Sequence, residues 1–317
     1  MRQSIPTLAL TAMLSASAAF AEVPKVATDI APVQSLAAQV MAGLGAPELI
    51  LPPGASPHGY SMRPSEARSL ADADLVFWVG EALTPWLEKP LESLAGNAEV
   101  VELAEVPGVT QLSFREGAAF APHDHDAEEE HVGDQEPPDE EGHAHSHHGL
   151  DPHMWLDPDN AKAWLMAMAE ALAAADPDNA ATYRANAAAA VERLGAEQAQ
   201  LAAELAPVQG MRFILFHDAF QYFEHRFGLT AAGAISLGDA VDPGAARVTA
   251  IRDLVRDEDI ACVAAEPQFS PALVATVTEG TGAKTTVLDP IGVGLNPGPE
   301  MYGTLLQNLA QGFLACR

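Results

Sequence analysis

Short apolar runs alternate with amphipathic stretches over most of this chain. Runs rich in Val, Ile, Phe and Trp predict buried strands, and segments with apolar residues three or four positions apart predict helices. In the first half, strands are expected at 24–30, 48–51, 74–80 and 99–103, and helices at 35–44, 64–73 and 84–94. Strands and helices that alternate at this spacing predict βα units and a parallel sheet.

The same alternation returns in the second half of the chain. Strands or extended segments are expected at 212–217, 229–237, 260–265 and 285–288, and helices at 219–227, 243–256, 271–279 and 301–315. Between the halves, Asp157-Pro158 begins a helix at 160–174, and Asp176-Pro177 begins an Ala-rich helix that runs to about residue 205. At 1.5 Å per residue the second helix is roughly 40 Å long, enough to bridge two domains.

This pattern predicts an α/β protein of two lobes, each a mainly parallel sheet flanked by helices, joined by one long rigid helix. The expected divisions are a first lobe at 22–176, a linking helix at 177–206 and a second lobe at 207–317. In such lobes, ligands bind beyond the carboxyl ends of the strands.

The first 21 residues resemble a secretory signal. Arg2 gives a positive start, residues 8–20 are mostly apolar, and Ala19-Phe20-Ala21 has the small-x-small form of a cleavage site. The mature protein is therefore expected to begin at Glu22 outside the cytoplasm. A membrane anchor is the alternative, but the apolar stretch is short for spanning a bilayer.

Charge narrows the choice of partners. The chain has 16 basic and 44 acidic residues, a formal net charge of −28, which disfavours nucleic acid and anionic membrane surfaces. Cations are plausible ligands, although acidity also serves plain solubility. Residues 120–149 combine many acidic residues with seven histidines and little apolar surface, which predicts a mobile loop with weak metal sites. These histidines are His123, His125, His131, His143, His145, His147 and His148.

Other histidines lie where a parallel α/β fold places ligand contacts. His58 follows a strand, His217 ends one, and His153 stands between the acidic loop and a capped helix; Asp289 also ends a strand. Three imidazoles and a carboxylate suit tetrahedral Zn²⁺. The spacing forms no local motif, so each histidine could instead be a hydrogen-bonding residue, and Asp289 could start a turn. His225 is expected at the surface.

Five segments resemble the periplasmic solute-binding proteins of high-affinity zinc-uptake ABC transporters, known as cluster A-I or cluster 9. The resemblance runs from about residue 26 to the C-terminus and includes the His-rich acidic insert. Its most specific segments are Gly54-Ala55-Ser56-Pro57-His58-Gly59-Tyr60-Ser61-Met62-Arg63-Pro64-Ser65, Asp151-Pro152-His153-Met154-Trp155-Leu156, Phe216-His217-Asp218-Ala219-Phe220-Gln221-Tyr222-Phe223, Ala265-Glu266-Pro267-Gln268-Phe269 and Leu288-Asp289-Pro290-Ile291-Gly292.

The resemblance implies zinc ligands at His58, His153 and His217, with Asp289 at the family's carboxylate position. Some zinc-uptake members use a Glu directly before the first histidine as fourth ligand, but Pro57 stands there in this chain. Asp289 or a water molecule must then complete the shell, and Asp289 is favoured. The manganese-binding branch has a carboxylate at the position of His217, and three nitrogen ligands favour zinc.

The two cysteines, Cys262 and Cys316, form no CxxC-type metal motif. An even count in an exported chain suggests a disulfide, and two separate buried thiols are the alternative. The resemblance favours the disulfide, because similar zinc-uptake proteins carry one in the second lobe.

The functional hypothesis is capture of Zn²⁺ in the periplasm by a monomer and its delivery to an inner-membrane ABC permease with its ATPase. A separate zinc metallochaperone is a further possible partner. The alternatives are a manganese- or iron-binding relative, a periplasmic zinc chaperone or buffer, and a zinc hydrolase. The hydrolase would need a general base, for which only Asp218 and Glu266 are near the expected site, and there is no HExxH motif.

Overall fold

The computed structural model describes residues 23–115, 117, 119–120, 149–236, 238 and 243–317. The predicted signal sequence and the seven histidines of the acidic loop lie outside the described residues. The predictions made for those two segments therefore stay predictions.

The first sheet is formed near the start of the described chain and is entirely parallel. Its strands lie in the order β2-β1-β3-β4, and all four residues of β3 are buried. The strands are β1 (Val26–Thr28), β2 (Glu48–Leu49), β3 (Leu75–Trp78) and β4 (Glu99–Glu102), and the helices that follow them are α1 (Ala31–Val40), α2 (Pro64–Ala71) and α3 (Glu88–Leu94).

The second sheet repeats this arrangement, with the order β6-β5-β7-β8 and only parallel pairs. In each sheet, the second of its four strands in chain order lies at one edge and the fourth lies at the other. The elements are β5 (Arg212–His217), β6 (Thr230–Ser236), β7 (Cys262–Ala265), β8 (Lys284–Val287), α6 (Gln221–Phe227), α7 (Ala245–Asp257), α8 (Ala272–Thr278) and α9 (Met301–Ala315).

Two helices connect the sheets, α4 (Pro158–Ala175) and the longer α5 (Ala180–Leu205). The buried residues of α5 recur three, four or seven positions apart, which is the pattern of a helix with one buried face. They belong to a single apolar cluster that also includes buried side chains of both lobes. The predicted two-lobed α/β architecture with a long helix is confirmed, and this shared core stiffens the connection.

The lobes also contact each other directly beside α5. The hydroxyl of Ser35 on α1 donates to the carbonyl of Gly298 at 2.6 Å and accepts from the backbone amide of Tyr302 at 3.0 Å. Trp155 Nε1 donates to the carbonyl of Pro290 at 2.7 Å. These bonds join residues far apart in the chain and fix the position of one lobe against the other.

Several boundaries differ from the prediction. Helix α3 begins at Glu88, four residues later than expected, and two other differences lie beside prolines. Helix α1 begins at Ala31, four residues earlier than expected, because Pro32 fits the first turn of a helix, where no amide hydrogen is needed. Strand β2 has only two residues, since the chain turns at Pro52 and Pro53 soon afterwards.

Cys262, in β7, and Cys316, just after α9, form a disulfide with their Cα atoms 5.3 Å apart. The bond ties the last helix to the second sheet. Among the described residues, no helix is both long and apolar enough to cross a membrane.

Candidate metal centre

His58 lies on the loop between β2 and α2, which is anchored on both sides of it. Trp86 Nε1 donates to the carbonyl of Pro57 at 2.7 Å. The ring of Tyr60 packs against Trp86, and its hydroxyl donates to Glu66 at 2.8 Å. Glu66 also accepts the backbone amide of Arg63, the residue just before α2, so the loop is tied to the start of this helix. His58 itself is half-buried.

His153 is buried just before α4, and Asp151 sets the orientation of its ring. One oxygen of Asp151 accepts from both His153 Nδ1 at 2.7 Å and the His153 backbone amide at 3.0 Å. Burial raises the pKa of Asp151 to about 7, against the opposing effects of the His153 amide and of Arg115. Because Nδ1 faces this carboxyl group, Nε2 is the atom left to bind a ligand.

His217 is the last residue of β5 and is held in the same way by a neighbouring strand. Glu266 follows β7, which pairs with β5, so the carboxyl ends of the two strands bring the side chains together. The Glu266 oxygens lie 2.7 and 2.8 Å from His217 Nδ1, and one of them also accepts the His217 backbone amide at 3.1 Å. His217 Nε2 is thereby directed away from the sheet.

The three Nε2 atoms converge between the lobes. His153 Nε2 lies 3.3 Å from His58 Nε2 and 3.4 Å from His217 Nε2. The ligand atoms of all three histidines lie within 4.8 Å of one another. Ligand nitrogens bound tetrahedrally to Zn²⁺ at about 2.05 Å lie about 3.3 Å apart. The two measured separations match this spacing.

Charge gives a second reason to place a cation here. Burial, together with the nearby His217, holds the pKa of His153 well below its usual range, so this imidazole is neutral at neutral pH. With Nδ1 of both His153 and His217 hydrogen-bonded to carboxyl groups, their Nε2 atoms lie 3.4 Å apart and are the atoms that can bind a metal ion. A neutral imidazole can donate its Nε2 lone pair to a metal ion, whereas a protonated one cannot.

Asp289 is not part of the histidine group. One of its oxygens accepts the backbone amides of Ile291 and Gly292, and the other accepts the amide of Val293 at 2.6 Å. In this conformation Asp289 begins a turn, which is the alternative role expected for an Asp before Pro290. Its carboxylate would have to move to reach a metal held by the three imidazoles.

Sequence reasoning missed the orienting roles of Asp151 and Glu266. In the sequence, Glu266 is a candidate only for the general base of a hydrolase, although its position at a strand end indicates the site. Asp151 stands two residues before His153, which was the available signal for it. His225 is exposed on α6, as predicted.

Comparison with known proteins agrees with this geometry. Residues 26–316 match the model of the family described as zinc-uptake complex component A, periplasmic. The chain belongs to this family. The family description names a periplasmic component of a zinc-uptake complex. The high-affinity zinc uptake system protein ZnuA of Paracoccus denitrificans is 44% identical, over 98% of this chain and 97% of the relative.

Solved structures share the fold. A crystal structure of ZnuA superimposes with a TM-score of 0.74 at 22% identity, covering 93% of this chain and 99% of that one. The solute-binding protein FpvC of Pseudomonas aeruginosa, solved with Mn²⁺, gives a TM-score of 0.73 at 20% identity, covering 92% and 98%. Since a manganese-bound protein matches the fold equally well, the fold alone does not identify the metal.

Proposed function

We propose that His58, His153 and His217 capture one Zn²⁺ between the lobes and that the protein hands this ion to the permease and ATPase of its ABC transporter. The observation that carries the proposal is the spacing of the three Nε2 atoms, which matches a tetrahedral zinc shell. Two of the three rings are hydrogen-bonded to carboxyl groups, which orient their Nε2 atoms toward the metal.

The donor set favours zinc over manganese and iron. Three imidazole nitrogens suit Zn²⁺, whereas the harder Mn²⁺ prefers oxygen ligands. A buried His217 in place of a carboxylate also adds no negative charge to the shell.

Asp289 is the proposed fourth ligand. A carboxylate offers about four lone-pair positions, and three of those on Asp289 face backbone amides, which leaves one for a metal. A small movement of the Asp289 turn toward the histidines would complete the shell. A water molecule in the same position is the alternative.

The protein is proposed to carry zinc without catalysing a reaction. Of the two candidate bases for a hydrolase, Glu266 is bound to His217, and Asp218 is paired with Arg115. Both carboxylates are therefore engaged in holding the structure, and neither is presented to a metal-bound water.

Export and assembly complete the proposal. Residues 1–21 act as the signal that sends the chain to the periplasm, where it works as a monomer and accepts zinc directly or from a metallochaperone. Growth of a deletion strain under zinc starvation separates uptake from a buffering role. An uptake component is required for growth when zinc is scarce, whereas a buffer is dispensable then.

The direct test replaces one ligand. Loss of a residue that only orients a metal ligand lowers metal affinity by up to about 100-fold. His217→Ala removes a ligand itself, so it is expected to weaken zinc binding by more than that. The measurement is competition with a zinc chelator, with His225→Ala as a control of the same residue type on the surface. Unchanged affinity in His217→Ala would show that the site is wrongly assigned.

The same assay decides the fourth ligand. Asp289→Asn keeps an oxygen for the backbone amides but removes the charge, so weaker zinc binding is expected. If Asp289→Asn binds zinc as tightly as the parent protein, water fills the fourth position. The assignment of the three histidines does not depend on this result.

A further inference from the structure

Arg115 forms an ion-pair cluster beside the metal centre. Its guanidinium donates to both oxygens of Asp218, with Nε at 3.0 and 3.1 Å, and to both oxygens of Glu224, at 2.8 and 2.9 Å. Its side chain is 10% exposed, and those of the two carboxylates are 1% and 3% exposed. The Arg115 guanidinium also lies over the ring of Phe120, 4.1 Å from its centre.

The two carboxylates lie next to elements of the second lobe that shape the site. Asp218 directly follows His217, at the turn that ends β5. Glu224 lies on α6 and accepts the backbone amide of Ala231 in β6 at 2.7 Å. Arg115 therefore joins the His217 turn, α6 and β6 through a single planar group, which a lysine could not do with the same geometry.

Residues 112–115, which we call the strap, connect Arg115 to the segment that carries His153. The carbonyl of Leu112 accepts the amide of Asp151 at 2.8 Å, and the amide of Phe114 donates to Gly149 at 2.7 Å. Asp151 is the residue that orients the ring of His153. The strap is thus hydrogen-bonded to the approach to one proposed zinc ligand and ion-paired beside another.

Helix α6 adds neutral contacts to the same strap. The hydroxyl of Tyr222 accepts the Leu112 amide at 2.8 Å and donates to the Asp151 carbonyl at 2.9 Å. Gln221 donates to the carbonyl of Ser113 at 3.0 Å. These bonds can hold the strap near α6, but they do not reach Asp218. Arg115 supplies the link between the strap and the His217 turn.

We propose that Arg115 is a positioning residue for the zinc site. By binding Asp218 and Glu224 from the strap, it keeps the His153 segment and the His217 turn at the separation that zinc requires. This inference rests on the proposed zinc site. Its consequence is slower release of zinc, because a metal leaves more readily when one ligand can drift away from another.

The test compares Arg115→Met and Arg115→Lys with the parent protein. Arg115→Met removes the ion pairs, and zinc dissociation into an excess of chelator is expected to be about tenfold faster or more, as for other outer-shell changes. Arg115→Lys keeps the positive charge without the planar group. Its zinc dissociation rate is expected to lie between those of the parent and Arg115→Met. Arg184→Met, which removes a half-exposed ion pair with Glu170 on the surface, is the matched control.

A spectroscopic measurement separates positioning from loss of stability. The visible absorption of the Co²⁺-loaded protein reports the symmetry of the ligand set, so it should change in Arg115→Met, recover in part in Arg115→Lys and stay unchanged in Arg184→Met. If Arg115→Met does not fold, Asp218→Asn carries the test, since it keeps the side-chain volume and removes the negative charge of one partner of Arg115.

The inference is overturned if the dissociation rate and the Co²⁺ spectrum of the folded variants equal those of the parent. Faster dissociation with an unchanged spectrum also overturns it, because a general loss of stability explains that result. The His217→Ala experiment is independent of Arg115. If that variant retains tight zinc binding, the proposed function fails, whatever Arg115 does.

Discussion

Glu266 accepts hydrogen bonds from both Nδ1 and the backbone amide of His217, and Asp151 faces the same two donors on His153. Each carboxyl group selects the tautomer of its histidine and fixes the ring against rotation. An imidazole that is held in this way loses little freedom when it binds a metal. The affinity of the site therefore depends on residues that do not contact zinc.

Replacement of Glu266 tests this dependence. Glu266→Gln keeps one acceptor for His217 Nδ1 and loses the charge, so an affinity about tenfold lower is expected, and Glu266→Ala should approach about 100-fold. Isothermal titration with a competing chelator measures both. Glu279→Gln, at a side chain that is 75% exposed, is the control. Equal affinities in all three variants would contradict an orienting role for Glu266.

Asp29 is a second buried carboxyl group, at the end of β1, and it makes stability depend on pH. It accepts the amides of Ile30 and Val79, at 2.8 and 2.7 Å, yet burial raises its pKa from 3.8 to about 7. The folded protein thus binds the proton more tightly than the unfolded chain. The resulting stabilisation is complete below about pH 4 and is lost as the pH rises toward about 7.

The expected loss from Asp29 over that range is at most about 4 kcal/mol in the free energy of unfolding. Denaturant unfolding at several pH values measures it. The fall of the unfolding free energy with rising pH should be smaller in Asp29→Asn than in the parent. It should be unchanged in Asp72→Asn, at an exposed position. Asp151 and Asp218 have pKa values raised in the same direction, so only the difference between variants isolates Asp29. An Asp29→Asn slope equal to that of the parent would exclude this effect.

Among the secondary-structure elements, α5 contributes most visibly to both lobes. Its buried side chains include Leu194 and Leu201, and they belong to the apolar cluster that both lobes share. The helix therefore acts as part of one core, and loss of packing on it should weaken the whole molecule.

Leu201→Ala is expected to lower the free energy of unfolding by about 2–5 kcal/mol, since it leaves a cavity in this core. Guanidinium unfolding followed by circular dichroism and by tryptophan fluorescence measures the loss. Both signals should change together if the lobes unfold as a unit. Glu192→Ala, at an exposed position of the same helix, should leave stability unchanged. A loss no larger than in Glu192→Ala would argue against a shared core.

At the scale of the whole molecule, the proposed tight site and the His-rich segment are separable. The three converging imidazoles lie on elements outside residues 123–148, and the chain on either side of that segment is paired at Ser113 and Leu150. Replacing 123–148 with a short Gly-Ser linker should therefore lower the amount of zinc bound per protein and leave one tight site.

Equilibrium dialysis with elemental analysis measures both quantities. A full-length variant with the seven histidines of the segment changed to serine is the control, because it keeps the acidic residues and the length. Its zinc content should match that of the deletion. Loss of the tight site in either protein would contradict the separation of the two functions.

Much of the fold could be predicted from local patterns. Apolar periodicity and helix-start signals placed the strands and helices in their observed order, because these patterns reflect the burial of single elements. Some boundaries were predicted wrongly, and at the start of α1 and the end of β2 the cause is a nearby proline. The position of His217 at the end of a strand was likewise visible in the sequence, since strand ends follow from the strands, whereas His58 lies on a loop after β2.

Only the tertiary structure decided how these residues meet. His58 and His153 are 95 positions apart, and Arg115 reaches Asp218 across 103 positions, so no local pattern records either contact. The choice of Nε2 as the converging atom depends on Asp151 and Glu266, and the turn at Asp289 depends on nearby backbone amides. Sequence patterns specify which elements form, whereas the separation of ligand atoms within a few tenths of an ångström comes from the packing of two lobes against a common core.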